Sequence, residues 1–186
     1  MTVTTRRGFV LGATAIALAT AGCNNGVGST AGATIDARAD AALSFLEANY
    51  PGTLDLRQNA AGMLIMPLIT EVGFGVGGGY GEGVLRIDGV TVDFYSAANA
   101  SFGFQIGGQQ YSQVLYFMTQ EALATFRSSS GWTAGADVKY AFNDQGQTLL
   151  TDTNVLTSPI IAVVFGQAGL IAGATVEGTK YTRILR

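Results

Sequence analysis

The spacing of apolar and polar residues changes several times along the chain, and each change marks an element. In "ATIDARADAALSFLEANYPG", Ile35, Ala39, Ala42, Leu43 and Leu46 share one helical face while Asp36, Arg38, Asp40 and Glu47 fall elsewhere. That pattern predicts an amphipathic helix, ended by Pro51-Gly52, with its apolar stripe laid on the core. The spacing then shortens. "GMLIMPLI", residues 62–69, is an apolar run typical of a buried strand. "GVLRI" and "VTVDFYS" flank Asp88-Gly89, a strong hairpin signal. "ASFGFQIGGQQYSQVLYFM" alternates Phe102, Phe104 and Ile106 on one face and resumes as Val114 to Met118. Thr119 can cap a short helix, "QEALATFRS", closed by Ser130-Gly131. "WTAGADVKYAF" and "TLLTDTNVL" read as further strands around an Asn143-Asp144 turn.

Residues 153–176 carry no charge, which raises the question of a transmembrane helix. Pro159, Gly166, Gly169, Gly173 and Gln167 interrupt any continuous apolar helix. "PIIAVVF", a "GQAG" turn and "LIAGATV" therefore read as a buried hairpin.

"GFGVGGGYGEG", residues 73–83, has glycine at seven of eleven positions, and Gly73, Gly75 and Gly78 carry a dinucleotide-site spacing. A phosphate loop needs a helix directly after its last glycine. Here only Val84 to Ile87 separate Gly83 from the Asp88-Gly89 turn, and no Walker-type lysine follows. Glycines alternating with Phe74, Val76 and Tyr80 fit a bent strand instead. Gly103, Gly107, Gly108, Gly166, Gly169, Gly173 and Gly178 repeat the habit elsewhere. The expected fold is α+β: one domain with a strongly curved, mostly antiparallel, barrel-like glycine-rich sheet. An N-terminal amphipathic helix and one short mid-chain helix complete it.

Composition narrows the chemistry. The 186 residues are 48% hydrophobic and 12% charged, with no histidine and one cysteine. The charged fraction is about half that of ordinary soluble domains, the balance of a chain that buries much surface or works beside lipid. The commonest general base and metal ligand are missing. A disulfide framework, a cysteine-rich zinc site and an iron–sulfur cluster are excluded. Neither a metal nor a cofactor is expected.

The N-terminus reads as an address. Arg6 and Arg7 precede an uncharged stretch from Gly8 to Gly22, and small residues lead to Cys23. Thr5-Arg6-Arg7-Gly8-Phe9-Val10 resembles a bacterial twin-arginine export signal, and Thr20-Ala21-Gly22-Cys23 resembles a lipobox. On this reading 1–22 is a lipoprotein signal peptide, Cys23 becomes the acylated first residue, 23–32 is a tether and 33–186 the domain. Asn24 in place of aspartate favours the outer membrane over inner-membrane retention. The expected location is the periplasmic side of the envelope. Without residues 1–22, which include Arg6 and Arg7, the remaining 164 residues hold 8 basic against 13 acidic side chains, a formal charge of −5. With no basic patch, nucleic acid is not an expected partner, and attraction to anionic lipid is weak.

"GGGYGEGVLRIDG", "FYSAANASFGFQIGGQQYSQVLYFMTQEALATF" and "FGQAGLIAGATVEGTKY" resemble, in order and spacing, the SYLF domain family, from about Ile35 to Ile184. The most specific pieces are Gly81 to Arg86, Phe102 to Gly108, and Gly169 to Gly173 leading to Glu177-Gly178. The resemblance implies membrane-lipid binding without catalysis. In eukaryotic members phosphoinositide binding goes with basic, amphipathic N-terminal residues. This chain lacks them, so headgroup specificity does not carry over, nor does actin binding to an exported bacterial protein.

Three readings follow. The first is a lipid-anchored envelope protein whose domain binds membrane lipid or another apolar ligand, with Trp132 and Tyr111 as exposed aromatic candidates. The second is an interaction module for other envelope proteins. The third, an enzyme, would need carboxylates from Glu71, Glu82 and Glu177, and nothing in the sequence places two of them together.

Overall fold

A computed structural model of the chain describes residues 30–142, 148, 150–166, 169–170 and 176–186. The segment read as an export signal, with Arg6, Arg7 and Cys23, the turn expected at Asn143-Asp144 and most of the segment 167–175 lie outside the described residues.

Helix α1 spans Ala31–Asn49, so the last residues read as tether are already helical. It buries Ile35, Ala39, Leu43 and Leu46, the apolar face read from the sequence. Burying each leucine or isoleucine fully contributes roughly 1.5–3 kcal/mol. A short α2, Thr53–Asn59, follows Pro51-Gly52 and adds Leu56 to the same cluster.

The next two elements dominate the fold. Strand β1 runs unbroken from Gly62 to Ile87 and β2 from Val90 to Phe117, paired antiparallel from end to end. They are joined at Asp88-Gly89, where both φ values are positive, 52° and 79°, as a type I′ turn requires. A straight strand of this length would measure about 85 Å. Instead β1 returns on itself. A Cβ added at Gly62 would lie 3.2 Å from the Arg86 carbonyl oxygen; at Gly83, 2.1 Å from that of Ile65; at Gly81, 2.5 Å from that of Leu68. These contacts centre the bend near residues 74–75, where the β1–β2 register shifts between Phe74 and Gly75. The opening glycine question is settled here: residues 73–83 are all strand, and the next helix begins at Gln120.

Helix α3, Gln120–Ser128, is capped as expected, the Thr119 hydroxyl accepting from Ala122 N at 3.1 Å. Then come β3 (Trp132–Thr133), β4 (Val138–Tyr140), α4 (Thr153–Leu156), β5 (Ile160–Gly166), β6 (Gly169–Leu170) and β7 (Lys180–Ile184). The free edge of bent β2 takes β7 along Phe94 to Ala98 and β5 along Ser112 to Phe117. Outside these, β3 pairs with β7, β6 with β5, and β4 joins β5 in parallel. The result is a single domain with a curled mixed sheet forming a half-barrel. The uncharged segment from Thr153 thus begins with a helical turn and continues into the β5–β6 hairpin, and no described helix is long and apolar enough to cross a membrane.

One reading changes. "TLLTDTNVL" was expected to be a strand, but its described residues include a lone bridge at Thr148 and helix α4. The Asp152 carboxylate accepts from Asn154 N at 2.8 Å, and this local cap outweighs the strand preference of Thr and Val.

The sheet is apolar on both faces. Leu64, Met66, Leu85, Tyr95, Leu115, Phe117, Ala162 and Tyr181 converge from all the long strands into one cluster on the concave side. Phe126 of α3 closes it, with ring centroids 4.8 Å from Tyr95 and 4.8 Å from Phe117. The alternate residues, Met63, Ile65, Val84, Val114, Ile161 and Val163, face outward under α1 and α2.

Candidate functional site

The bend is the surface feature that most departs from an ordinary domain. Its β2 arm carries no charged residue from Phe94 to Gln120, and its β1 arm carries only Glu71, Glu82 and Arg86. Among the described side chains of the bend, Leu68 is 39% exposed, Val72 59% and Tyr80 54%. Large apolar side chains exposed along one sparsely charged bend are the arrangement of a surface that meets something apolar.

The aromatic candidates named from the sequence lie elsewhere. Tyr111 was expected to be exposed but is buried, as its place on the concave face of β2 requires. Trp132 is half-buried, its ring packed on Phe126 at 5.4 Å and Tyr181 at 5.7 Å. Both belong to the core. Tyr80, hidden by its glycine neighbours in a sequence reading, is the exposed aromatic among the described residues. The signal that could have found it is the one aromatic of the glycine run that falls between the close-approach positions.

The three carboxylates sit in different surroundings. Glu82 binds Arg186, with Arg186 Nε 3.3 Å from Oε2, and accepts from the Tyr80 hydroxyl at 2.8 Å. Burial alone would raise its pKa, but the hydrogen bonds from Arg186 and Tyr80 outweigh burial and hold it below the usual carboxylate range. A carboxylate so held is a structural anion, poorly suited to general-acid work at neutral pH. Glu71 sits at the bend beside Val72, and its charge together with burial raises the pKa of Tyr111. Glu177 is exposed in the turn before Gly178. Among the described residues no three acidic, His or Cys side chains are grouped to hold a metal.

Two polar assemblies escaped the sequence reading. Arg86, buried within the sheet, reaches α1, with NH2 2.6 Å from Asp36 Oδ1 and NH1 2.6 Å from Asp40 Oδ1. Thr91 donates to Asp36 Oδ1 at 2.6 Å and accepts from Arg86 Nε at 3.2 Å. The Thr91 hydrogen bond and then Arg86 lower the Asp36 pKa despite some burial. This clamp ties α1 to the end of β1 at Arg86 and the start of β2 at Thr91. The second assembly lies in the concave interior. Gln113, fully buried, donates to the Tyr181 hydroxyl, and Asn99 donates to that of Tyr111 at 3.3 Å. Burial drives the Tyr181 pKa strongly upward, so the phenol stays neutral. Among the described residues Gln113 Oε1 and Asn99 Oδ1 have no partner.

The family model described as "Ysc84: Las17-binding protein actin regulator" matches residues 98–183, from the β2 arm of the bend to β7. No curated protein matches the chain.

Proposed function

We propose that this chain, which carries the SYLF domain over residues 98–183, is a non-catalytic, lipid-anchored envelope protein whose domain binds membrane lipid or another apolar ligand. The observation that carries the reading is the sparsely charged bend exposing Leu68, Val72 and Tyr80. Inserting such side chains among acyl chains removes apolar surface from water at about 25 cal/mol per Å². With a formal charge of −5 beyond the signal, binding would owe little to electrostatic attraction to anionic headgroups. The anchor would be Cys23 after export directed by Arg6 and Arg7, ending at the periplasmic side of the outer membrane. Flotation of the chain lacking residues 1–23 with phosphatidylethanolamine–phosphatidylglycerol vesicles tests the domain's part; a protein that stays at the bottom of the gradient refutes it.

A second reading has support in the family's own description, which names protein binding. On it the domain is an interaction module for other envelope proteins, and the anchor alone supplies membrane attachment. Crosslinking in cells would then give defined protein partners, and native mass spectrometry of the purified domain would show no lipid.

A further inference from the structure

The first turn of α1 fixes where an anchored chain enters the fold. A Cβ at Gly32 would lie 3.1 Å from Phe94 Cζ and 3.5 Å from Arg186 Cβ. Arg186 holds Glu82, and Glu82 holds the Tyr80 hydroxyl, a chain of contacts that leads from the α1 N-terminus toward the bend. Val92 is two residues before Phe94 on the same side of β2, and Leu185 directly follows Ile184, the ladder partner of Phe94. All three are open to water, Tyr80 at 54%, Val92 at 41% and Leu185 at 74%. Nearby charges are neutralised in place: Glu82 by Arg186, and Asp93 by Arg127 at 3.3 Å and Arg183 at 3.6 Å.

The chain outside the described fold adds the second constraint. Six residues lie between Cys23 and Thr30, seven Cα–Cα steps in all. Fully extended they span at most about 25 Å. An acylated Cys23 therefore holds this end of the domain within reach of the bilayer. The far end of the 19-residue α1 is about 28 Å away along its axis.

We infer that the surface running from the bend at Tyr80 to Val92 and Leu185 beside the α1 N-terminus docks on the lipid bilayer. The inference rests on the reading that Cys23 carries the anchor. Paired charges and exposed apolar side chains suit contact with the glycerol and upper acyl region, where Tyr80 presents a ring with a polar tip. Leu54, 37% exposed in α2 beyond the other end of α1, is the internal control.

The test uses the processed, acylated full chain in phosphatidylethanolamine–phosphatidylglycerol vesicles. Its acylated Cys23 does not react with maleimides or iodoacetamides, so Val92→Cys, Leu185→Cys and Leu54→Cys each offer a single site for an environment-sensitive fluorophore. Probes at 92 and 185 are expected to shift to the blue with a several-fold rise in intensity, while the probe at 54 keeps its aqueous spectrum. Water-like spectra at 92 and 185, with or without a shift at 54, would overturn the docking face. Failure of the anchor is read separately: protein carrying the unmodified Cys23 would fractionate as soluble before any probe is examined, and the inference would fall with its premise. Tyr80→Ser/Val92→Ser/Leu185→Ser, all at exposed positions, should keep the anchor yet become several-fold more accessible to protease at the vesicle surface. Unchanged protection would also count against the face.

Discussion

Gly83→Ala is the sharpest probe of why the chain needs so much glycine. The new methyl would sit 2.1 Å from the Ile65 carbonyl oxygen, 3.0 Å from its carbonyl carbon and 2.5 Å from Met66 Sδ. The sulfur can swing away, but the carbonyl belongs to β1 and moves only with the strand. Overpacking of this kind typically costs about 1–3 kcal/mol. A strained ladder hydrogen bond beside it adds roughly another 1 kcal/mol. Against this, alanine restricts the unfolded chain and returns about 0.4–1 kcal/mol. The net expectation is a loss of about 2–3 kcal/mol. Gly108→Ala is the matched control, since its nearest atoms, Glu71 O and Val72 Cγ1, are both 3.7 Å away and the position is exposed. It should change stability by less than about 0.5 kcal/mol. Urea unfolding of the chain lacking residues 1–23, followed by the fluorescence of its single tryptophan, Trp132, reads both variants. Equal stability of the two variants would refute the idea that glycine is required where the halves of β1 meet.

Other perturbations address separate parts of the structure. Asp36→Asn/Asp40→Asn leaves the Arg86 guanidinium buried without its carboxylates and should cost about 2–3 kcal/mol, less than for a fully enclosed pair because both aspartates reach water; unchanged urea midpoints would contradict the clamp. Since the folded-state pKa of Asp36 is lowered, its contribution is present above the unfolded value of about 3.9 and is lost as pH falls through the lower folded value. Asp36→Asn should therefore flatten the acid limb of a stability–pH curve, and an unaltered limb would argue against that role. Tyr181→Phe strands the buried Gln113 amide and should cost about 1–3 kcal/mol, with Gln113→Met restoring much of it in the double variant; additive losses would contradict the pairing. Cys23→Ala should move the protein from the membrane to the soluble fraction of the envelope, and persistent attachment would refute acylation as the tether.

The α1 stripe, the Asp88-Gly89 turn, the Thr119 cap and the architectural role of the glycines were legible because each depends on residues close in sequence. What escaped depends on distance in sequence. The 26- and 28-residue strands read as separate short ones, since nothing local reports that a glycine-rich stretch stays hydrogen-bonded through a bend. The Arg86 clamp joins residues 46 and 50 positions apart. Tyr111 was misplaced, and Tyr80 not singled out, for the same reason: alternation assigns a residue to a face, and only the curl of the sheet decides which face is concave. Helix α4 won over a strand pattern through one side-chain cap at Asp152, an effect of a single hydrogen bond that periodicity does not sense.

Salt dependence of vesicle flotation by the chain lacking residues 1–23 tests the lipid reading most directly. If the bend's exposed Leu68, Val72 and Tyr80 make the contact, the protein floats with phosphatidylethanolamine–phosphatidylglycerol vesicles equally at low and high salt, because screening weakens only charge-driven attachment. Protein that remains in the dense fractions at every salt concentration, or floats only at low salt, would contradict it.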